Sequence, residues 1–236
     1  MGLDARQKEL WLKEFRLNGF VVLRSFLPKD LVVAMHEQLL PLVRGEYDRI
    51  QREKLERLRA PSRLSLDVGR YAQLLGGPIA DERYLQNPVI EELVEAILGP
   101  SGPWGRGWTQ AECVFRGSEY MSWHPDQTDD ETPPAGEPQR TVRVTYNVPL
   151  VDFTWANGSL EILPSTHLHA HAFFDRSIAE VRNVYPVRLD LSRGDAILRD
   201  GNGLHRGTPN LTDEPRIMLD RTYRMASALG KRAGAG

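Results

Sequence analysis

Apolar residues recur at helical spacing through the first hundred positions and alternate with polar ones through most of the rest. Asp4 and Gln7 form a capping box, Leu10, Trp11 and Phe15 share one helical face, and Asn18-Gly19 supplies the stop. FVVLRSFL (20–27) reads as a strand. Pro28 opens a second helix over LVVAMHEQLLPLV (31–43), which Pro41 is expected to kink or stop because proline removes a backbone donor and crowds the preceding turn. The charged stretch 44–59 predicts a solvated surface helix. Asn87 as N-cap, Pro88 at the first helical position and Gly99 beyond the end bracket VIEELVEAIL as a compact helix.

After Gly99 the texture changes to short β-branched and apolar runs: WTQAECVF, TVRVTYNVPL, SLEILP, VYPVRLDL, DAILRD and RIMLDRTYR. Gly, Pro, Asn and Asp separate them, as in all-β sandwiches and barrels. Helices followed by strands predict an α+β domain in which a β core carries the N-terminal helices. One domain over 1–229 with a disordered tail at 230–236 is the expected organisation. Residues 127–140 (QTDDETPPAGEPQR) are polar, acidic and proline-rich, so they predict a loop, either a lid over a site at Asp126 or a mobile surface insertion.

Composition changes the picture mainly by exclusion. The chain has 236 residues, 26% charged and 41% hydrophobic, with a formal net charge of −2, so there is no electrostatic case for nucleic acid. No apolar run is long enough to span a membrane. The single cysteine, Cys113, has no partner for an internal disulfide, which fits a reducing cytoplasm, and its place in the alternation AECVF predicts a buried thiol.

Candidate chemistry begins at Ser122-Trp123-His124-Pro125-Asp126. On an extended backbone, residues two apart point to the same face, so His124 and Asp126 offer adjacent ligands. A His-x-Asp triplet alone recurs by chance. It gains weight from His205, which lies beyond a strand and a glycine-rich turn in GDAILRDGNGLH, and from Arg216 further on. Two histidines and one carboxylate make the facial triad of non-haem Fe(II) oxygenases. The arginine is suited to grip a carboxylate by two parallel hydrogen bonds, as 2-oxoglutarate would require.

These residues also carry a family resemblance. HPD at 124–126, NGSLEILPSTH at 157–167, GDAILRDGNGLHRG at 194–207, Arg216 after PNLTDEP and the N-terminal NGFVVLRSFLP together resemble the phytanoyl-CoA dioxygenase-like family of Fe(II)/2-oxoglutarate oxygenases. The resemblance implies a double-stranded β-helix (a jelly roll, cupin-like), with His124, Asp126 and His205 as iron ligands and Arg216 on the distal carboxylate of 2-oxoglutarate. Two positions depart from the family pattern. A serine two residues after the distal histidine is replaced by Gly207, which passes the role of supporting the carboxylate to Thr208. An aromatic residue near the cosubstrate falls on Asn147, whose amide would bond it instead. His167 is expected to be structural, with His169 and His171 on the surface.

The expected activity is hydroxylation of an unactivated C–H bond of a small molecule, a specialised metabolite, with O2 consumed and 2-oxoglutarate converted to succinate and CO2. The carboxylate of Asp126 argues against halogenation, since related halogenases carry a small residue there. Oxidative cyclisation, desaturation and epimerisation remain alternatives at the same iron site, as does a non-catalytic jelly roll that binds a metal or metabolite. Trp123, Gln127 and Trp108 are candidate substrate contacts. Nothing resembles a basic cradle for coenzyme A, so an acyl-CoA substrate is not carried over. A monomer or homodimer is expected.

Overall fold

The computed structural model describes residues 4–53, 62–126, 140–168 and 185–226. The first helix, α1 (Ala5–Asn18), starts where the Asp4 side chain accepts from the Arg6 N–H and ends at Gly19, whose φ of 81° is one that a side chain would disfavour. Strand β1 (Phe20–Leu23) is shorter than the apolar run predicts, because the chain turns at Ser25 with a positive φ. Helix α2 (Lys29–Glu53) runs unbroken through Pro41 and absorbs the charged stretch up to Glu53. The stop at Pro41 does not occur. Leu39, Val43 and Ile50 are buried on either side of the proline, so core packing outweighs the local cost. The remainder of the charged stretch, most of the 127–140 loop with Gln127, His169, His171 and the tail 230–236 lie outside the described residues.

Three elements escaped the periodicity: β2 (Arg63–Asp67) and the short helices α3 (Val68–Leu75) and α4 (Glu82–Leu85). Helix α5 (Pro88–Leu98) has the predicted cap, with Asn87 Oδ1 accepting from the Val89 and Ile90 N–H groups. The later strands are β3 (Trp104–Val114), β4 (Arg143–Pro149), β5 (Leu160–Ile162), β6 (Val187–Leu189), β7 (Ala196–Asp200), β8 (His205–Gly207) and β9 (Arg216–Met225). Together with β1 and β2 they form a six-stranded sheet in the order β1-β7-β4-β9-β3-β2 and a three-stranded sheet β6-β5-β8, antiparallel throughout.

The two-residue period of the strands divides the large sheet by chemistry. Val144, Tyr146 and Val148 of β4, Ala196 and Leu198 of β7, and Ile217, Leu219 and Tyr223 of β9 join one core with the helices. Tyr84 of α4 packs on Tyr146 with ring centroids 5.6 Å apart. The opposite face contributes Phe20, Ile197 and Met218 to a smaller core shared with Leu160, Ile162 and Leu189 of the second sheet. Polar residues of that same inner face line a cavity of about 540 Å³ between the strands. Burying a leucine-sized side chain is worth roughly 1.5–3 kcal/mol, so the helix-covered face stabilises the sheet while its inner face can carry polar residues beside the smaller core.

Candidate metal centre

His124, Asp126 and His205 meet at one edge of this cavity, with their ligand atoms within 4.8 Å of one another. The backbone brings them together. His124 and His205 form an antiparallel bridge, each N–H donating to the other's carbonyl at 3.1 and 3.0 Å. The Asp126 N–H donates to the Gly201 carbonyl at 2.8 Å. A Cβ on Gly201 would lie 2.8 Å from that of Arg143, so glycine permits the close approach to β4 in which the Gly201 N–H donates to the Arg143 carbonyl at 2.8 Å.

Both imidazoles are set for metal by the same device. His124 Nδ1 lies 2.8 Å from the Ser122 carbonyl and His205 Nδ1 3.1 Å from the Gly203 carbonyl. A carbonyl only accepts, so each Nδ1 carries the proton and each Nε2 keeps its lone pair. His205 Nε2 faces Asp126 Oδ1 at 3.6 Å. Burial, followed by the nearby Arg199, holds the His205 pKa well below its ordinary value, which keeps the ring neutral and fit to ligate. Burial would raise the Asp126 carboxyl, yet Arg199, His205, His124 and Arg143 outweigh it and hold the acid well below the usual carboxylate range.

Arg216 opens β9 opposite Val114 and is buried. The turn before it is tied down by Asn210, whose amide donates to the Val114 and Glu214 carbonyls at 2.8 Å each and whose Oδ1 accepts from the Thr212 N–H. The guanidinium lies 4.8 Å from the Phe153 ring. Its Nε and Nη1 have no hydrogen-bond partner among the described residues, and burial lowers its pKa. A buried cation with unmet donors is costly, and an anion in the same cavity would satisfy it. The donor set therefore fits both implied groups: one carboxylate with two neutral imidazoles for Fe(II), and an unpaired arginine for the distal carboxylate of 2-oxoglutarate.

The phytanoyl-CoA dioxygenase family profile matches residues 15–218. The chain belongs to the phytanoyl-CoA dioxygenase family. As a member of this family it is an Fe(II)/2-oxoglutarate-dependent oxygenase, with the expected triad in place. The epimerase SnoN from nogalamycin biosynthesis, solved with Fe3+, alpha ketoglutarate and nogalamycin RO, is similar at a TM-score of 0.66 and 20% identity over 99% of this chain and 93% of that one. AviO1 from Streptomyces viridochromogenes Tue57 gives 0.60 and 20% over 96% and 97%. The carbocyclase SnoK from nogalamycin biosynthesis gives 0.63 and 15% over 95% and 85%. The shared architecture is the jelly roll expected from the family's motifs.

The other sequence candidates of this phytanoyl-CoA dioxygenase family member differ in their distance from the cavity. Trp108 lines it, with its ring 4.9 Å from the Arg143 guanidinium and 5.2 Å from that of Arg224. Trp123 lies under Arg206 at 4.4 Å, outside the residues that line the cavity. Asn147 is fully buried, its amide donating to Asp220 Oδ1 at 2.5 Å and accepting from Arg199 Nε at 2.8 Å. Thr208 is also buried and donates its hydroxyl to the Ser159 carbonyl at 2.7 Å. Neither lines the cavity among the described residues. His167 is structural: its Nε2 lies 3.2 Å from the Arg16 carbonyl, while the Ser165 N–H donates to the Asn18 carbonyl at 2.8 Å. The Pro164–His167 turn thus satisfies end carbonyls of α1. Cys113 is a buried thiol whose pKa burial pushes up, as expected.

Several polar residues of the site went unnoticed in the sequence, among them Arg143, Thr145, Arg199 and Asp220. Arg199 Nη2 lies 2.6 Å from Asp126 Oδ2, Thr145 donates to the same oxygen at 3.1 Å, and Arg143 donates to the Asp126 carbonyl. Burial, then Glu112, raises the Asp220 carboxyl despite Arg199. The signal that could have found them was charge at alternate positions within apolar strands: Arg143-x-Thr145 in β4, and Arg216-x-Met218-x-Asp220-x-Thr222 in β9.

Among the described residues, no helix is long and apolar enough to cross a membrane.

Proposed function

We propose that this chain oxidises an unactivated C–H bond of a small molecule of specialised metabolism, with hydroxylation as the outcome. Arg216 carries the reading. A metal site kept for structure alone gains nothing from a buried arginine with unmet donors in the same cavity, whereas a dicarboxylate cosubstrate accounts for it. His124, Asp126 and His205 would hold the iron, and Arg216 would take the far carboxylate of 2-oxoglutarate. When bound, iron and 2-oxoglutarate supply the oxidant for hydrogen removal from the substrate, at the expense of O2 and with release of succinate and CO2.

The chain's own residues prepare that site. The proton on each histidine Nδ1 leaves Nε2 as the ligand atom. The strand walls would exclude water and hold the substrate beside the triad, with Trp108 as an apolar surface at the cavity wall. Thr208 supports the cosubstrate end of the cavity through the Ser159 carbonyl, and Asn147 does so through Arg199. Epimerisation and ring closure stand beside hydroxylation as a second reading, supported by the activities named for SnoN and SnoK, which share the fold. All three reactions share the removal of hydrogen and diverge in the step after it.

Anaerobic protein with Fe(II) and 2-oxoglutarate should develop a weak visible charge-transfer band, and a screen of small-molecule libraries should find substrate-dependent succinate formation. No band in iron-loaded protein would defeat the cofactor assignment. A product with unchanged mass, or one lacking two hydrogens, would replace hydroxylation with epimerisation or with desaturation or cyclisation.

A further inference from the structure

We propose that Arg199 is a positioning residue that restricts Asp126 to a single metal-binding oxygen, so that the cosubstrate finds a second position open. The inference rests on the iron/2-oxoglutarate reading above and concerns a residue on β7 that lies outside the triad. Arg199 is buried, and its planar fork is used in two directions. Nε donates to Asn147 Oδ1 at 2.8 Å and Nη2 meets Asp126 Oδ2 at 2.6 Å, while Nη1 lies 3.2 Å from His205 Nδ1, which carries its own proton and accepts no bond from it. Asn147 is itself held by its bond to Asp220 at 2.5 Å. The fork cannot turn without breaking the Asn147 bond, so the cation is fixed before any metal arrives.

This makes the two oxygens of Asp126 unequal. Oδ2 takes the charge-assisted bond from Arg199 and a second bond from Thr145 at 3.1 Å. Oδ1 is the oxygen turned toward His205 Nε2, at 3.6 Å. A carboxylate can bind a metal through one oxygen or two. An aspartate free to rotate would chelate with both and occupy a position that a bidentate 2-oxo acid needs. With Oδ2 committed to Arg199, only Oδ1 is offered.

The test uses the full chain with Arg199→Met, and two probes: Co(II) alone, and anaerobic Fe(II) with 2-oxoglutarate. Without the arginine, Asp126 should chelate. Co(II) should then bind as tightly as in the parent protein or more tightly, with an altered ligand-field spectrum. The 2-oxoglutarate concentration giving half of the charge-transfer band should rise about 10–100-fold, the scale of effects from residues behind metal ligands. An unchanged Co(II) spectrum with an unchanged 2-oxoglutarate requirement overturns the inference. So does parallel weakening of metal and cosubstrate, which is what a merely structural residue would give. If Arg199→Met does not fold, Arg199→Lys decides, because one ammonium cannot reach both Asn147 and Asp126 as the fork does. It should shift both readouts in the same directions, and parent-like values overturn the inference. Absence of the band in the parent protein would instead defeat the iron/2-oxoglutarate reading on which this rests.

Discussion

His124 and His205 face each other across an antiparallel bridge, with their ring centroids 4.5 Å apart. The bridge, rather than any local motif, brings the distal histidine to the His-x-Asp pair. A metal held there binds the folded chain and has little to bind in the unfolded one.

Metal should therefore raise thermal stability. Mn(II) or Co(II), used as stable stand-ins for Fe(II), should stabilise by about 2.7 kcal/mol at a hundred times the dissociation constant. Thermal unfolding with metal and with chelator measures this. His205→Ala should remove most of the difference while folding normally without metal; a retained difference would place the metal elsewhere.

Asp126→Ala should abolish turnover, because it removes the only carboxylate of the triad. Succinate release with and without substrate gives the measurement.

Arg216→Met should separate stability from cosubstrate binding. In the absence of 2-oxoglutarate the variant should be at least as stable as the parent, since a buried charge with unmet donors disappears. The requirement for 2-oxoglutarate should rise by roughly 10–150-fold, corresponding to the 1.5–3 kcal/mol of a hydrogen bond to a charged group. Titration of the charge-transfer band against 2-oxoglutarate reads the effect, and an unmoved midpoint would shift the carboxylate clamp to another residue.

Asp200 should impose a pH slope on stability. Burial pushes its carboxyl up to about 6 from an ordinary 3.8, although it accepts from Thr141 and from the Asn202 N–H. A folded pKa above the unfolded one means that the folded state holds the proton more tightly. The favourable contribution is then complete below about pH 4 and is lost as pH rises through about 6. At about 1.4 kcal/mol per pH unit, the loss is on the order of 2–3 kcal/mol. Denaturant midpoints of the parent and of Asp200→Asn between pH 4.5 and 8 should diverge, with the variant flatter.

Gly158→Ala should destabilise by roughly 1–3 kcal/mol. Gly158 has a φ of 90°, and a Cβ there would lie 2.8 Å from the Thr208 carbonyl oxygen. The substitution pushes apart the two segments joined by the Thr208–Ser159 bond, next to the strand that carries His205. Chemical unfolding checks it, and parent-like stability would show that the turn can relax.

The capped helices α1 and α5 were legible because their signals are local: a side chain accepting from the first turn and a glycine or proline at a fixed offset. The meeting of His124, Asp126 and His205 was legible because their residue types are rare in combination and sit in recognisable blocks. The path of α2 through Pro41 was not, since buried Leu39, Val43 and Ile50 decide it and their partners are remote in sequence. Nor was the role of Asn147. Its amide bonds Arg199 and Asp220, partners that lie 52 and 73 positions away and that no local signal announces. The bond from Thr208 to the Ser159 carbonyl was likewise not legible, since 49 positions separate the two.

By itself, then, the sequence determined the helix caps and the ligand types that gather at the triad, because ligand identity and helix caps are properties of side chains and their near neighbours. Only the tertiary structure decided which partner each one takes. Arg199 is one charged residue in an apolar strand until β7 pairs with β4 and sets Asn147 behind it. The bridge between His124 and His205 then places Asp126 within its reach. Cross-strand register fixes those neighbours, and register is set by the packing of the whole sheet against its helices rather than by any one segment.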